Sequence, residues 1–468
     1  MPGVPSGRAC EACRKQKKKC DELPICSRCL RLKIPCIGSG AKRYKWSIET
    51  TDQTQSRVPE LTSRGRTAST QLDTARQLLQ QISRSPSNAE SKLAMTLVDK
   101  VHLQHDSDLR YNLTWAYGDF IQEVPRRLGK NAALDAAATS LAMCHVRYSM
   151  GRRNAEQAEL TAYGNALKVL RACLDDKMVA RETNTLCAVT LLLLVQQMIG
   201  QDGSATGHGE GAALILKARG VQQKSKDKFE TMLLATLRGP LLFEGLFNPR
   251  ISLTDDEWAS LVTDHMAQSS SSDFERLVAA WASFPKLTAA ARRAYSSKIK
   301  TGTQEFRELL KHSWELYDSS VHITNKFRET YKASAEDFIN ASDRASASRK
   351  RFLYAYHQRI LSMGVFTASY INCLVRAMLP PEERSILVTD SVDLSKEIVS
   401  LAHQGMPFRP LGSALMTLSL MVAWFSPASD EMRGELEDLW GKYSSDFPAT
   451  RNLSLQHSLE AYAFLGGF

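Results

Sequence analysis

Six cysteines fall within the first 36 residues: Cys10, Cys13, Cys20, Cys26, Cys29 and Cys36. Their spacing, C-x2-C-x6-C-x5-C-x2-C-x6-C, is one unit written twice. A segment of about 30 residues cannot bury enough apolar surface to fold alone. Metal binding is the expected source of its folding energy, on the order of 10–16 kcal/mol per structural zinc site in finger peptides. Zinc in such a site takes four tetrahedral ligands, and thiolate suits it. Two zincs need eight ligand positions, but six thiols are present, so two must bridge. The doubled unit points to the first cysteine of each half. A disulfide framework is the rival reading. It is disfavoured because Met1-Pro2-Gly3-Val4-Pro5 has no apolar core of a secretory signal, and clustered cysteines in a reducing compartment bind metal. Metal storage needs neither a repeat nor a basic run, and a ribbon of two separate four-ligand sites fails on count.

The chain carries a net charge of +10, and that charge is uneven. Residues 1–50 hold twelve Lys/Arg against four acids, so +8 of the excess sits there. Between Cys13 and Cys20 runs Arg14-Lys15-Gln16-Lys17-Lys18-Lys19, five cations in six residues. A polyanion partner is therefore expected at this module.

The spacing, the basic run and Pro24 two residues before Cys26 resemble the fungal binuclear zinc-cluster transcription factors. The resemblance covers residues 8–38. It implies two zinc ions bridged by Cys10 and Cys26, a short helix opening at each C-x2-C, and a proline-containing loop between the halves. It also implies that the N-terminal helix enters the DNA major groove over CGG-type triplets. The family usually has a cation three residues after the second cysteine, where this chain has Gln16. Lys17 occupies the position that most often touches guanine edges and is the first choice for base readout, with Lys18 and Gln16 next. A good Lys or Arg contact to guanine discriminates by about 1–3 kcal/mol. Arg14, Lys15 and Lys19 are expected on phosphates, which position without reading sequence.

The second spacer, Leu30-Arg31-Leu32-Lys33-Ile34-Pro35, is half apolar and is expected to pack the two halves together. Arg28, Arg31 and Lys33 fit a solvated face or phosphate contact equally. The following Lys42-Arg43-Tyr44-Lys45-Trp46 patch fits DNA-backbone tracking, nuclear import or the start of a linker. Residues 51–90 contain twelve Ser/Thr, six Gln and no aromatic residue, and are expected to form a flexible linker. Leu72, Ala75, Leu79 and Ile82 sit at a/d spacing. Two heptads ended by Ser85-Pro86 fall short of a coiled coil.

From about residue 89 the composition is helical. Apolar residues recur at helical spacing at Leu93, Leu97 and Val101, at Ala166, Val169 and Leu170, and at Leu353, Tyr356, Ile360 and Met363. Residues 186–195 are apolar on nearly every side, which suggests a buried central helix, and they are too short to span a bilayer. Residues 415–425 are a second candidate. Several phrases resemble the second type of fungal-specific transcription factor regulatory domain: Glu182-Thr183-Asn184-Thr185-Leu186, His208 with Gly211-Ala212-Ala213-Leu214-Ile215 and Arg219-Gly220, and Asn248-Pro249-Arg250-Ile251 before Glu257-Trp258. That resemblance implies an all-helical regulatory domain.

Enzymatic signatures do not hold up. Gly207-His208-Gly209-Glu210-Gly211-Ala212 imitates a dinucleotide fingerprint, but no strand precedes it and no second strand follows. His102 and His105 lack nearby ligands in register. Cys144, Cys173, Cys187 and Cys373 stand alone in apolar helical contexts, as buried small hydrophobes do.

The expected fold class is thus all-α: a zinc-cluster DNA-binding module at 8–38, a basic then Ser/Thr/Gln-rich linker at 39–88, and a multi-helix regulatory domain at 89–468. The expected function is that of a zinc-dependent, sequence-specific transcription factor in the nucleus, acting on RNA polymerase II genes. A pathway-specific role in metabolic or secondary-metabolite genes is common among relatives. Expected partners are double-stranded DNA, the transcription machinery or co-regulators, and a second copy in a homodimer, with monomeric binding left open. No membrane is expected. The alternatives are a DNA-associated adaptor without its own transcriptional output and, more remotely, an enzyme in the helical domain.

Overall fold

The computed structural model describes residues 10–21, 26–32, 34, 36, 88–101, 109–152, 154–200, 208–220, 227–246, 248, 250–263, 272–296, 303–340, 344–426, 429–447 and 464–465. The a/d stripe from Leu72 to Ile82, the 42–46 patch, Pro24, Gly207, His102 and His105 lie outside them. The chain divides into two compact units, residues 1–84 and 85–468.

In the first unit two five-residue helices, α1 (Glu11–Lys15) and α2 (Ser27–Arg31), each begin immediately after the first cysteine of a half. The buried interior consists of Cys10, Cys13, Cys26 and Cys29, with Ile34, Ala12, Cys20 and Cys36 packed against them. Among the described residues this interior is made mostly of sulfur and contains little hydrocarbon.

The second unit is built from helices; its described residues contain no strand. The first helices are α3 (Ala89–Val101), α4 (Leu113–Tyr117), α5 (Phe120–Glu123), α6 (Ala132–Ser149), α7 (Gln157–Asp175) and α8 (Thr183–Ile199). Next come α9 (His208–Arg219), α10 (Lys228–Gly245), α11 (Asp255–Thr263), α12 (Asp273–Ala280) and α13 (Phe284–Tyr295). The last are α14 (Gln304–Ile339), α15 (Arg344–Met378), α16 (Ser385–Gly405), α17 (Met416–Trp424) and α18 (Asp430–Ser444). Local chemistry marks many of the starts. Asn112, Asn131 and Thr303 each accept a first-turn N–H at α4, α6 and α14, and Ser272 and Glu275 form a reciprocal capping box at α12.

Two of the helices bear out the apolar runs. α8 buries twelve of its seventeen residues, packed chiefly against α6, then α9 and α7. α17 covers the second run. The long α14–α15 hairpin brings α15 to the centre, where α13, α16 and α17 pack around it. The segment Ala347–Met378 is long and apolar enough to cross a membrane, yet 89 % of its most apolar window is buried inside the domain. It is a core helix.

The helical spacing at Leu353, Tyr356, Ile360 and Met363 falls within α15, but it does not mark the inward face. Leu353 and Tyr356 are 40 % and 45 % exposed, while Ala355, Leu361, Val365 and Phe366 are buried. Both sets obey helical spacing. In a helix this apolar, which face is inward is set by the α14 and α16 surfaces.

Candidate metal centre and nucleic-acid interface

Each half of the cysteine module forms the same local structure, offset by sixteen residues. The Cys13 N–H donates to Cys10 Sγ at 3.5 Å, and the Cys29 N–H donates to Cys26 Sγ at 3.4 Å. The first cysteine of each half therefore caps its own helix through sulfur. The N–H of that cysteine donates to the third sulfur of the same half, Cys10 to Cys20 at 3.4 Å and Cys26 to Cys36 at 3.2 Å. Each helix then ends on a six-residue backbone bond, Lys18 N–H to the Cys13 carbonyl at 2.8 Å and Ile34 N–H to the Cys29 carbonyl at 3.1 Å.

The sulfurs converge in two overlapping groups. Cys10, Cys13, Cys20 and Cys26 form one; Cys10, Cys26, Cys29 and Cys36 form the other. In each, the four sulfurs lie within 4.8 Å of one another. Cys10 and Cys26 belong to both. Sulfur–sulfur distances are 3.7 Å for Cys10–Cys26, 3.6 Å for Cys10–Cys29 and 3.7 Å for Cys13–Cys26. A zinc tetrahedron with Zn–S bonds near 2.3 Å has edges of about 3.8 Å, so the donor set fits zinc in both spacing and chemistry.

Electrostatics separates the shared sulfurs from Cys13 and Cys29. The backbone N–H of Cys13 holds the Cys10 thiol below its ordinary value, and that of Cys29 does the same for Cys26. Burial instead pushes Cys13 up to about 11 and raises Cys29. The two positions common to both groups are thus better prepared to carry negative charge than Cys13 and Cys29.

Residues 8–45 match the family model of the fungal Zn(2)-Cys(6) binuclear cluster domain. No curated protein and no solved structure matches the chain. The zinc-cluster domain binds two zinc ions and is the DNA-binding part of fungal zinc-cluster transcription factors. Such proteins are generally nuclear and usually not enzymes.

The basic run spans the end of α1. Arg14 and Lys15 are in the helix, Gln16 and Lys17 form the turn after it, and Lys18 and Lys19 lead to Cys20. Lys15, Gln16, Lys17, Lys18 and Lys19 are exposed. Lys17 has φ +50°, the left-handed position that closes the helix. Its side chain therefore leaves the backbone just beyond the last helical turn.

Three features of the zinc-cluster domain differ from or add to the sequence expectation. Leu30 and Leu32 are 67 % and 47 % exposed, and among the described residues of the second spacer Ile34 alone packs on the cysteines. Arg28 is half-buried, its Nη2 donating to Gln16 Oε1 at 2.6 Å and its Nη1 lying 4.0 Å from Cys13 Sγ. Asp21 accepts the Ser27 N–H at 2.9 Å and the Ser27 hydroxyl, which anchors the first turn of α2. No sequence signal marked Asp21; for Gln16 the signal was its departure from the family's cation.

Elsewhere, the isolated cysteines of the helical unit behave as expected from their apolar settings. Cys144, Cys187 and Cys373 are buried and Cys173 partly so. Burial pushes the Cys144 thiol up to about 11 and raises Cys187.

Proposed function

We propose that this protein is a sequence-specific transcription factor of RNA polymerase II genes. Cys10, Cys13, Cys20, Cys26, Cys29 and Cys36 are its zinc ligands. Lys17, with Lys18 and Gln16, reads a CGG-type triplet, while Arg14, Lys15 and Lys19 engage phosphates. The observation that carries this reading is the overlap of the two four-sulfur groups at Cys10 and Cys26, directly beneath an exposed basic run. A metal-built scaffold holds that run in one conformation, which DNA readout requires and mere charge does not.

The helical unit controls activity or oligomerisation in this reading, and its composition resembles a regulatory domain. Metabolic or secondary-metabolite genes are the target class, and the nucleus is the site of action. Boundaries at 8–38, 39–88 and 89–468 define the module, linker and regulator.

The decisive experiment is selection of bound sequences from a random DNA pool by the full-length zinc-loaded protein. Enrichment of CGG-type triplets, lost on chelation, is the expected result and also reports half-site spacing. Enrichment of no sequence, or of an unrelated one, refutes the reading. Fusing residues 89–468 to a foreign DNA-binding module upstream of a reporter separates a regulator from an adaptor: a changed output is expected, and an unchanged one favours the adaptor.

A further inference from the structure

A cavity of about 420 Å³ opens at the turn end of the α14–α15 hairpin. Its size lies within the range of small-molecule sites. Phe338 of α14, Tyr354 of α15 and Phe408, in the turn after α16, form an aromatic wall. Phe338 stacks on Tyr354 at 5.6 Å between centroids with 21° between planes, and Phe408 lies 6.4 Å from Tyr354.

The polar groups around this wall are committed, with one exception. The Tyr354 and Tyr331 hydroxyls are 2.9 Å apart, Tyr331 donates to Gln404 Oε1, and Gln404 Nε2 donates to Ser400 Oγ at 3.2 Å. These bonds hold Tyr354 and Gln404 in place and leave them little to offer a ligand. Arg351 differs. Its guanidinium is 5.7 Å from the Phe408 centroid and half-buried in the cavity lining. Among the described residues it makes no hydrogen bond or ion pair. A half-buried cation without a counter-charge among the described residues, beside a stacked aromatic surface, matches a ligand with one flat ring system and one carboxylate. The planar fork of a guanidinium suits a carboxylate through two parallel bonds.

We propose that this cavity is a binding site for an aromatic carboxylate. The ring lies along Phe338, Tyr354 and Phe408, and the carboxylate pairs with Arg351. Such a ligand touches α14, α15 and the turn after α16 at once, so binding stabilises their mutual packing.

The test uses the full-length zinc-loaded protein with benzoate, indole-3-acetate and naphthalene-2-carboxylate, followed by calorimetric titration and thermal unfolding. At least one acid is expected to bind with a saturable rise in Tm. Its carboxamide, with the ring kept and the charge removed, is expected to bind at least tenfold more weakly. Arg351→Gln is expected to remove the preference for acid over amide. No binding by any acid at millimolar concentration overturns the proposal, as does equal binding of acid and amide. Should Arg351→Gln fail to fold, the acid–amide comparison on the unaltered protein decides alone. None of these readouts involves DNA, so failure here leaves the zinc-cluster reading untouched.

Discussion

Arg28 donates to Gln16 at 2.6 Å and so ties the two halves of the zinc-cluster domain together at their helices. Gln16 stands where related domains usually carry a cation. A lysine there would face Arg28 and repel it. We expect Gln16→Lys to break this tie at a cost of about 1 kcal/mol. Zinc transfer to a competing chelator should then run about fivefold faster, and an unchanged rate would show that the bond is incidental.

Lys17 combines a backbone role with a charge, and the two can be separated. Its φ of +50° is unfavourable for a side-chain-bearing residue by about 1–2 kcal/mol and free for glycine. Lys17→Gly should therefore leave zinc binding intact while losing triplet preference. Lys19→Ala should instead weaken binding to all sequences and reduce the slope of log affinity against log salt by about 1. Equal losses on specific and random DNA for both variants would refute this division of roles.

Cys10 and Cys26 are shared by both four-sulfur groups. Replacing either by serine is expected to remove both zincs from the full-length protein in native mass spectrometry. Loss of DNA binding should accompany it. Retention of one zinc by Cys10→Ser would show that Cys10 belongs to a single site. Cys20→Ala is likewise expected to abolish folding of the module and DNA binding.

In the helical unit Arg147 Nε lies 2.9 Å from Glu159 Oε2, both side chains being almost fully buried between α6 and α7. Arg147 also donates to the Met198 carbonyl at 2.8 Å, which reaches α8. Glu159→Ala leaves a buried guanidinium without its counter-charge. The expected loss is about 3–5 kcal/mol, read as lower Tm and chemical stability of the helical unit. Arg147→Met with Glu159→Leu should recover most of it, since an apolar pair of similar volume removes the unpaired charge. Failure to recover would mean that the bonds from Arg147 to the Met198 and Arg152 carbonyls, not the ion pair, carry the stability.

Asp273 joins α12 to α14. Burial alone would raise its carboxyl, but hydrogen bonds from Lys326 and Arg276 hold it below the ordinary value of 3.8. A depressed folded-state pKa contributes stability above the ordinary carboxylate value and loses it as pH falls through the lowered one. The Tm of the wild-type protein should thus fall more steeply below pH 4 than that of Asp273→Asn. Solvent screening keeps the difference at neutral pH small. Parallel curves would rule out this contribution.

Much of the zinc-cluster domain was legible in the residues because its fold is a ligand-counting problem. Six thiols for eight tetrahedral positions require two shared ligands; the resemblance implies Cys10 and Cys26, and these are the two cysteines common to both four-sulfur groups. What the spacing did not reveal is direction. Leu30 and Leu32 read as packing residues by composition, yet their side chains point to solvent. The Gln16–Arg28 bond and the Asp21 cap join residues at separations of twelve and six, for which no periodic signal exists.

For the helical unit, sequence alone determined that α8 and α17 are interior helices, because a segment apolar on every side has no solvated face to offer. Many helix starts are likewise set locally, since Asn and Ser caps act over three residues. Tertiary structure alone decided which face of α15 is buried and how distant segments meet. Trp115 Nε1 donates to the Gly412 carbonyl, Tyr148 to that of Asp446, and Arg359 to those of Trp115 and Ala116. These contacts join chain segments hundreds of residues apart. They follow from the packing of whole helix surfaces, whereas metal ligation is settled between Cys10 and Cys36 and helix capping within three residues.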